Sequence, residues 1–229
     1  MKKLNMLSET LQLNDKETLD ARVRSLISAF PFNEYEYTLM FLRDRGVLEF
    51  EEYEQLRKEY TSSNRYLPLY GLAPRVFGEI WVQQHIRDLD ARFQRPSKAR
   101  DPGYEGQYDL WIEGVRVEVK ATRAINTKKR GELVSKALRY ASTEPFWMNY
   151  QQLQPDTSDV FIFVGVWVDQ ILYWVLSADE VRMNRYLSHQ HRGGIEYQIG
   201  ITDKNIGDFA PYEASAHELA MVAVEKVRP

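Results

Sequence analysis

No cysteine occurs in the 229-residue chain, which removes disulfides, thiolate zinc sites, iron–sulfur clusters and cysteine nucleophiles together. Histidine is scarce. His85, His189, His191 and His217 include no HExxH pair, and His189-Gln190-His191 reads as a polar loop. No Gly-x-x-x-x-Gly-Lys-Ser/Thr stretch is present, so the chain carries no P-loop motor. No window approaches the ~18 apolar residues of a membrane span, and the first ten residues hold no run of signal-peptide length. The expectation is a cytoplasmic protein with no membrane partner. Net charge is small, −3, and gives no global pull toward a polyanion, although a local basic face suffices for one. Internal repeats and low-complexity segments are also missing.

What is present is the composition of a soluble globular protein, 44% hydrophobic and 28% charged. The length suits one domain, or one domain with a small helical addition. Residues 1–70 read as helical. Asn14 with Glu17 looks like a capping pair, and Leu19, Val23, Leu26, Ile27 and Phe30 recur at helical spacing up to Pro31. A second helix is predicted over Glu34–Arg45, closed by Gly46, and a third over Phe50–Tyr60. The stretch joining them resembles a helix-turn-helix connection, a pattern shared with helical hairpins that only pack. A loop follows over 61–74, then a helix from about Arg75 on which Val76, Phe77, Ile80, Trp81 and Ile86 can turn inward. Farther on, Glu132–Tyr140 has helical spacing, Asp159–Val168 reads as a strand buried on both faces, and Gln170–Leu176 can pair back with it. A short helix over Ser177–Leu187, a strand over Ile195–Thr202 and a terminal helix or tail over Ala214–Val224 complete an α/β or α+β layout around a mixed sheet.

The most informative stretch is Tyr108–Lys120, Tyr-Asp-Leu-Trp-Ile-Glu-Gly-Val-Arg-Val-Glu-Val-Lys. Two β-rich runs flank Glu113-Gly114, a two-residue hairpin signal. In that register Leu110, Ile112, Val115, Val117 and Val119 share a core face, while Asp109, Trp111, Arg116, Glu118 and Lys120 share the other. Asp109 then faces Glu118, a like-charge pair that destabilises a sheet unless a cation sits between. Magnesium prefers oxygen ligands and binds through one or two carboxylates, the rest of its shell being water or phosphate. Asp109 and Glu118 are therefore candidate ligands for Mg2+, with Lys120 placed to orient an attacking water and Glu79 an accessory acid from its helix. The alternative is a solvated sheet face in which Lys120 neutralises the two acids.

Asp109, eight residues, then Glu118-Val119-Lys120 in a strand–turn–strand, preceded by a helix carrying Gly78-Glu79, resembles the catalytic core of the PD-(D/E)xK nuclease superfamily, the fold of most type II restriction endonucleases. The likeness spans roughly residues 75–205, and Tyr108 stands where the superfamily's name has proline. It implies a restriction-endonuclease-like α/β core over 71–229, a central mixed sheet flanked by helices, with 1–70 as a helical extension able to contact DNA. It further implies Mg2+-dependent cleavage of double-stranded DNA, most simply by a sequence-specific homodimer, since two strands call for two active sites. Gln151 or Gln152 falls where some members carry an accessory glutamine. Lys98, Arg100, Arg123, Lys128, Lys129 and Arg130 become candidate phosphate contacts on either side of the site. Lys204-Asn205 and Asn184-Arg185 are candidates for reading bases. A repair or junction nuclease of the same fold, or a non-catalytic DNA-binding or protein-interaction module on it, are the alternatives.

Overall fold

The computed structural model describes residues 2–25, 31–189 and 196–228. Four helices come first, α1 (Lys2–Ser8), α2 (Leu13–Ser25), α3 (Pro31–Asp44) and α4 (Phe50–Ser63). Leu4, Tyr35, Leu39, Leu42, Leu48 and Leu56 bury one another in a small core of their own. Gly46 ends α3 as its spacing predicts: at φ +67° it donates to the Arg43 carbonyl while the Val47 amide closes on Leu42, the left-handed stop that glycine tolerates best. Asn14 is not a cap. The Gln12 carbonyl already accepts from the Asp15 and Lys16 amides, which places Asn14 inside the first turn of α2. Leu19 is buried and Val23 half-buried, whereas the predicted partners Leu26, Ile27 and Phe30 lie outside the described residues.

After a short 3-10 turn (Leu67–Gly71) a helix starts at Pro74, opens into a π-helical stretch over Val76–Trp81 and continues as α5 (Val82–Leu89). The i→i+5 hydrogen bonding of a π turn moves the apolar stripe out of 3.6-residue phase. Phe77, Val82 and Ile86 are consequently buried, while Val76 and Ile80, predicted to turn inward, are 39% and 63% exposed.

Nine strands follow among the described residues: β1 (Leu110–Ile112), β2 (Val115–Arg123), β3 (Ile125–Asn126), β4 (Phe146–Leu153), β5 (Val160–Val166), β6 (Ile171–Ser177), β7 (Leu187–His189), β8 (Tyr197–Thr202) and β9 (Glu213–Ala214). They form a mixed five-stranded sheet, β1-β2-β5-β6-β9, and an antiparallel four-stranded sheet, β3-β4-β8-β7. Helices α6 (Ala178–Arg182) and α7 (Leu219–Glu225) complete the α/β architecture. In the larger sheet only β2 and β5 run parallel. One of its faces packs Val117, Val119, Ile162 and Val164 against α5 and α7. The other packs Phe161, Phe163 and Trp174 against Met148, Tyr150, Ile199 and Ile201 of the smaller sheet. Covered on both sides, β5 is buried at all seven positions, the reason its sequence is a continuous apolar run. Ser177 caps α6 in a reciprocal box with Glu180.

The predicted helix over Glu132–Tyr140 is not formed. Only Val134–Lys136 makes a 3-10 turn, and Ala137 bridges to Ile125 instead, so the chain is drawn along the edge of the smaller sheet before β4. No described helix is long and apolar enough to cross a membrane.

Candidate functional site

The hairpin turn is built from two left-handed residues, Glu113 at φ +47° and Gly114 at φ +93°. Positive φ at both central positions matches the right-handed twist of the flanking strands. The register follows, pairing Leu110 with Val117, Trp111 with Arg116 and Ile112 with Val115, and β2 alternates buried and half-buried from Val115 to Lys120. Just before β1, Asp109 lines the same cavity as Glu118, near enough for its charge to act on the Glu118 carboxyl.

Asp109 is held from three directions. Its amide donates to the Val117 carbonyl at 3.1 Å, the Val119 amide donates to Oδ2 at 2.9 Å, and Gln83 Nε2 on α5 donates to Oδ1 at 2.6 Å. Burial nevertheless raises the Asp109 pKa, against the Val119 amide, Lys120 and Gln83, which lower it; the nearby Glu79 charge adds to the rise. Glu118, its side chain 14% exposed, has Lys120 as its one partner among the described residues, Nζ to Oε1 at 2.6 Å. Burial first, and Asp109 second, push the Glu118 carboxyl up to about 7. Two carboxylates close together and poorly solvated store repulsion that a cation relieves.

Asp109, Lys120 and Gln152 line two adjoining cavities of about 540 and 230 Å³. The larger also takes in Arg75, Glu79, Gln83 and Gln151, and the smaller Glu118, Gln154 and Glu196. Glu79 sits on the rim, its side chain 58% exposed and paired with Arg75 at 2.9 Å. Among the described residues no three of His, Cys, Asp and Glu converge into a complete ligand set. The donors that do meet, Asp109 and Glu118, are oxygen-only and two in number, which fits magnesium's habit of binding through one or two carboxylates with other oxygens completing the shell.

No protein-family model matches the chain, and no curated protein is recognisably similar to it.

Gln151 and Gln152 lie on strand β4. Gln152 has φ +56° where the pairing of β4 with β8 slips between Tyr150 and Leu153, and such bulges re-aim side chains at active sites. Tyr108, in the position of the motif's proline, is buried and donates its hydroxyl to Asp101 Oδ2 at 3.0 Å. Trp111 packs on the Tyr108 ring. Of the expected phosphate contacts, Lys98, Arg100, Lys128, Lys129 and Arg130 are exposed. Arg100 leans on Gln94 and Ser97, and Lys128 on Glu144.

Arg123 does not belong with them. It is 7% exposed, its guanidinium lies 3.9 Å from the centre of the Phe77 ring and donates to the Leu72 carbonyl at 2.7 Å, and burial brings its pKa down to about 10. Strict period-2 alternation along β2 puts Arg123 on the face of Val115, Val117 and Val119, and the side chain is buried there although Ala121 between them is half-exposed. Asn205 is also turned inward, its amide tying Thr202 to Gly200, and Arg185 is engaged with Asp208 and Tyr186. Gln83 is the site residue that no motif announces. Its only signal is a polar position between the buried Val82 and Ile86 on the helix carrying Glu79.

Proposed function

We propose that the chain is a magnesium-dependent endonuclease that hydrolyses DNA phosphodiester bonds on a restriction-endonuclease-like core, residues 71–229, with the four-helix segment before it as an added DNA-contacting unit. The observation that carries this reading is the meeting of Asp109, just before β1, with Glu118 on β2, with the Lys120 ammonium 2.6 Å from Glu118, at the wall of cavities lined by Gln83, Gln151 and Gln152. The mixed sheet, antiparallel at β1-β2 and β5-β6 and parallel at β2-β5, supports the same reading.

Asp109 and Glu118 would hold the cation, whose charge offsets that developing on the scissile phosphate. Gln83 and the Val119 amide fix the Asp109 carboxylate in place, and Lys120 orients the attacking water and balances charge in the transition state. Lys98, Lys128, Lys129 and Arg130 supply phosphate contacts that weaken with salt. Sequence-specific cutting of double-stranded DNA by a homodimer is the role we assign.

Incubating the protein with phage DNA and magnesium tests the proposal. Discrete bands support sequence-specific cleavage, and a smear or branch-dependent nicking moves the role to repair. No cleavage with either magnesium or manganese ends the enzyme reading. Asp109→Ala and Lys120→Ala are expected to abolish cutting with the fold retained, and full activity in either removes the site.

A further inference from the structure

Next to the larger carboxylate cavity lies another opening of about 250 Å³, walled by Phe77, Arg123, Ile125, Leu133, Trp147 and Asn149. The two share Pro74, Gly78, Ala121 and Asn149, so anything bound along one meets the other. Strand β4 turns Phe146 and Met148 into the core and Trp147 outward, 42% exposed. The indole lies so close over Gly200 that a Cβ there would fall 2.5 Å from Cη2. Gly200 therefore lets the ring lie flat on the sheet, leaving the opposite face to solvent.

Arg123 and Asn149 line the same opening, with Arg123 Nε and Asn149 Oδ1 buried behind its surface and without a hydrogen-bond partner among the described residues. What the opening presents to a ligand is the exposed indole face. Beside a site proposed to cut phosphodiester bonds, a flat π-face of that kind fits a nucleobase.

We infer that Trp147 is the stacking platform for a single unpaired nucleobase of the DNA strand being cut. This rests on the nuclease reading and names a substrate feature within it: a base out of its stack beside the scissile phosphate. Base–aromatic stacking is indifferent to sequence because every base has a π-face, so the platform holds a displaced base without reading it and leaves sequence recognition to contacts elsewhere.

The test is binding of two fluorescently labelled duplexes, identical except for one unpaired thymine, with calcium in place of magnesium. Trp147→Leu is expected to lose about tenfold or more in affinity for the duplex with the unpaired base and to bind the fully paired duplex as the parent does. Trp147→Phe keeps most of the preference. Equal affinity of parent and Trp147→Leu for both duplexes overturns the inference, as does an equal loss for both, and thermal melts of each variant exclude a general loss of fold. Cleavage by the parent and by Asp109→Ala is scored separately. A parent that cuts while Trp147→Leu behaves as the parent does sinks the platform and leaves the nuclease standing, whereas a parent that binds neither duplex sinks both.

Discussion

The Lys120 ammonium lies 2.6 Å from Glu118 Oε1 on the same strand, yet this ion pair does not bring the Glu118 carboxyl back to its ordinary range. Burial and the Asp109 carboxylate outweigh it and hold the group at about 7. A single lysine shared by two acids is too little positive charge for the site.

The stability consequence has a definite sign. Between the unfolded value of 4.5 and the folded value of about 7, the native state keeps a proton that the unfolded chain releases, so stability falls as pH rises through that window. Glu118→Gln removes this contribution. In EDTA at pH 8 the variant is expected to melt above the parent, by about 2–4 °C for each kcal/mol of strain relieved, with the gap closing near pH 4.5. Thermal melts across pH 4–8 read this directly, and a variant no more stable than the parent at pH 8 contradicts the strain.

Magnesium should relieve the same repulsion. A ligand that binds only the native state stabilises by RT ln(1 + [L]/Kd), about 2.7 kcal/mol at one hundred times Kd. The expected outcome is a magnesium-dependent rise in melting temperature for the parent at pH 7.5 that is absent in Asp109→Asn and in Glu118→Gln. Equal shifts in all three proteins would place the cation elsewhere.

The β1-β2 hairpin was legible because its signals are local: a Gly-containing turn, valines at period two, and an acid two residues before a lysine. So was β5, since burial on both faces leaves its mark on every residue. Strand β4 was not. Phe146 to Leu153 pairs with β8, some fifty residues away, and its outward Trp147 breaks the polar half of the alternation. The exposure of Val76 and Ile80 was hidden for a different reason, because a π turn changes the period that spacing assumes. Gln83 belongs to the site only through a contact spanning 26 residues, which no short pattern encodes.

Arg123 illustrates how a charge run misleads. With its guanidinium on Phe77 and bonded to the Leu72 carbonyl, Arg123→Ala is expected to cost about 2–3 kcal/mol of stability and to leave the salt dependence of DNA binding unchanged. Lys129→Ala is expected to do the reverse, melting as the parent does while lowering the salt slope by about one. Denaturant titration and binding at several salt concentrations separate the two.

The turn offers a change that should help. Glu113 occupies the left-handed region at φ +47°, which costs an L-residue about 1–2 kcal/mol and asparagine less. Its contact with Arg92, at 3.6 Å between side chains about half exposed, contributes little. Glu113→Asn is therefore expected to raise the melting temperature slightly and leave cleavage as it is. A lowered melting temperature would contradict this account of the turn.

Gln83 gives the sharpest test of how the site is held. Its amide donates to Asp109 Oδ1 at 2.6 Å and lowers the Asp109 pKa against the rise that burial imposes. Gln83→Leu removes that donor, so the carboxylate both loses its anchor and binds its proton more tightly. Outer partners of metal-binding carboxylates typically account for 10–100-fold in affinity or activity. Cleavage by Gln83→Leu is expected to need more magnesium for half-maximal rate, to approach the parent's rate at high magnesium, and to show its acid limb displaced to higher pH. A residue that only packed α5 against β2 would lower stability without moving the pH profile, so an unchanged profile and magnesium requirement would remove Gln83 from the site.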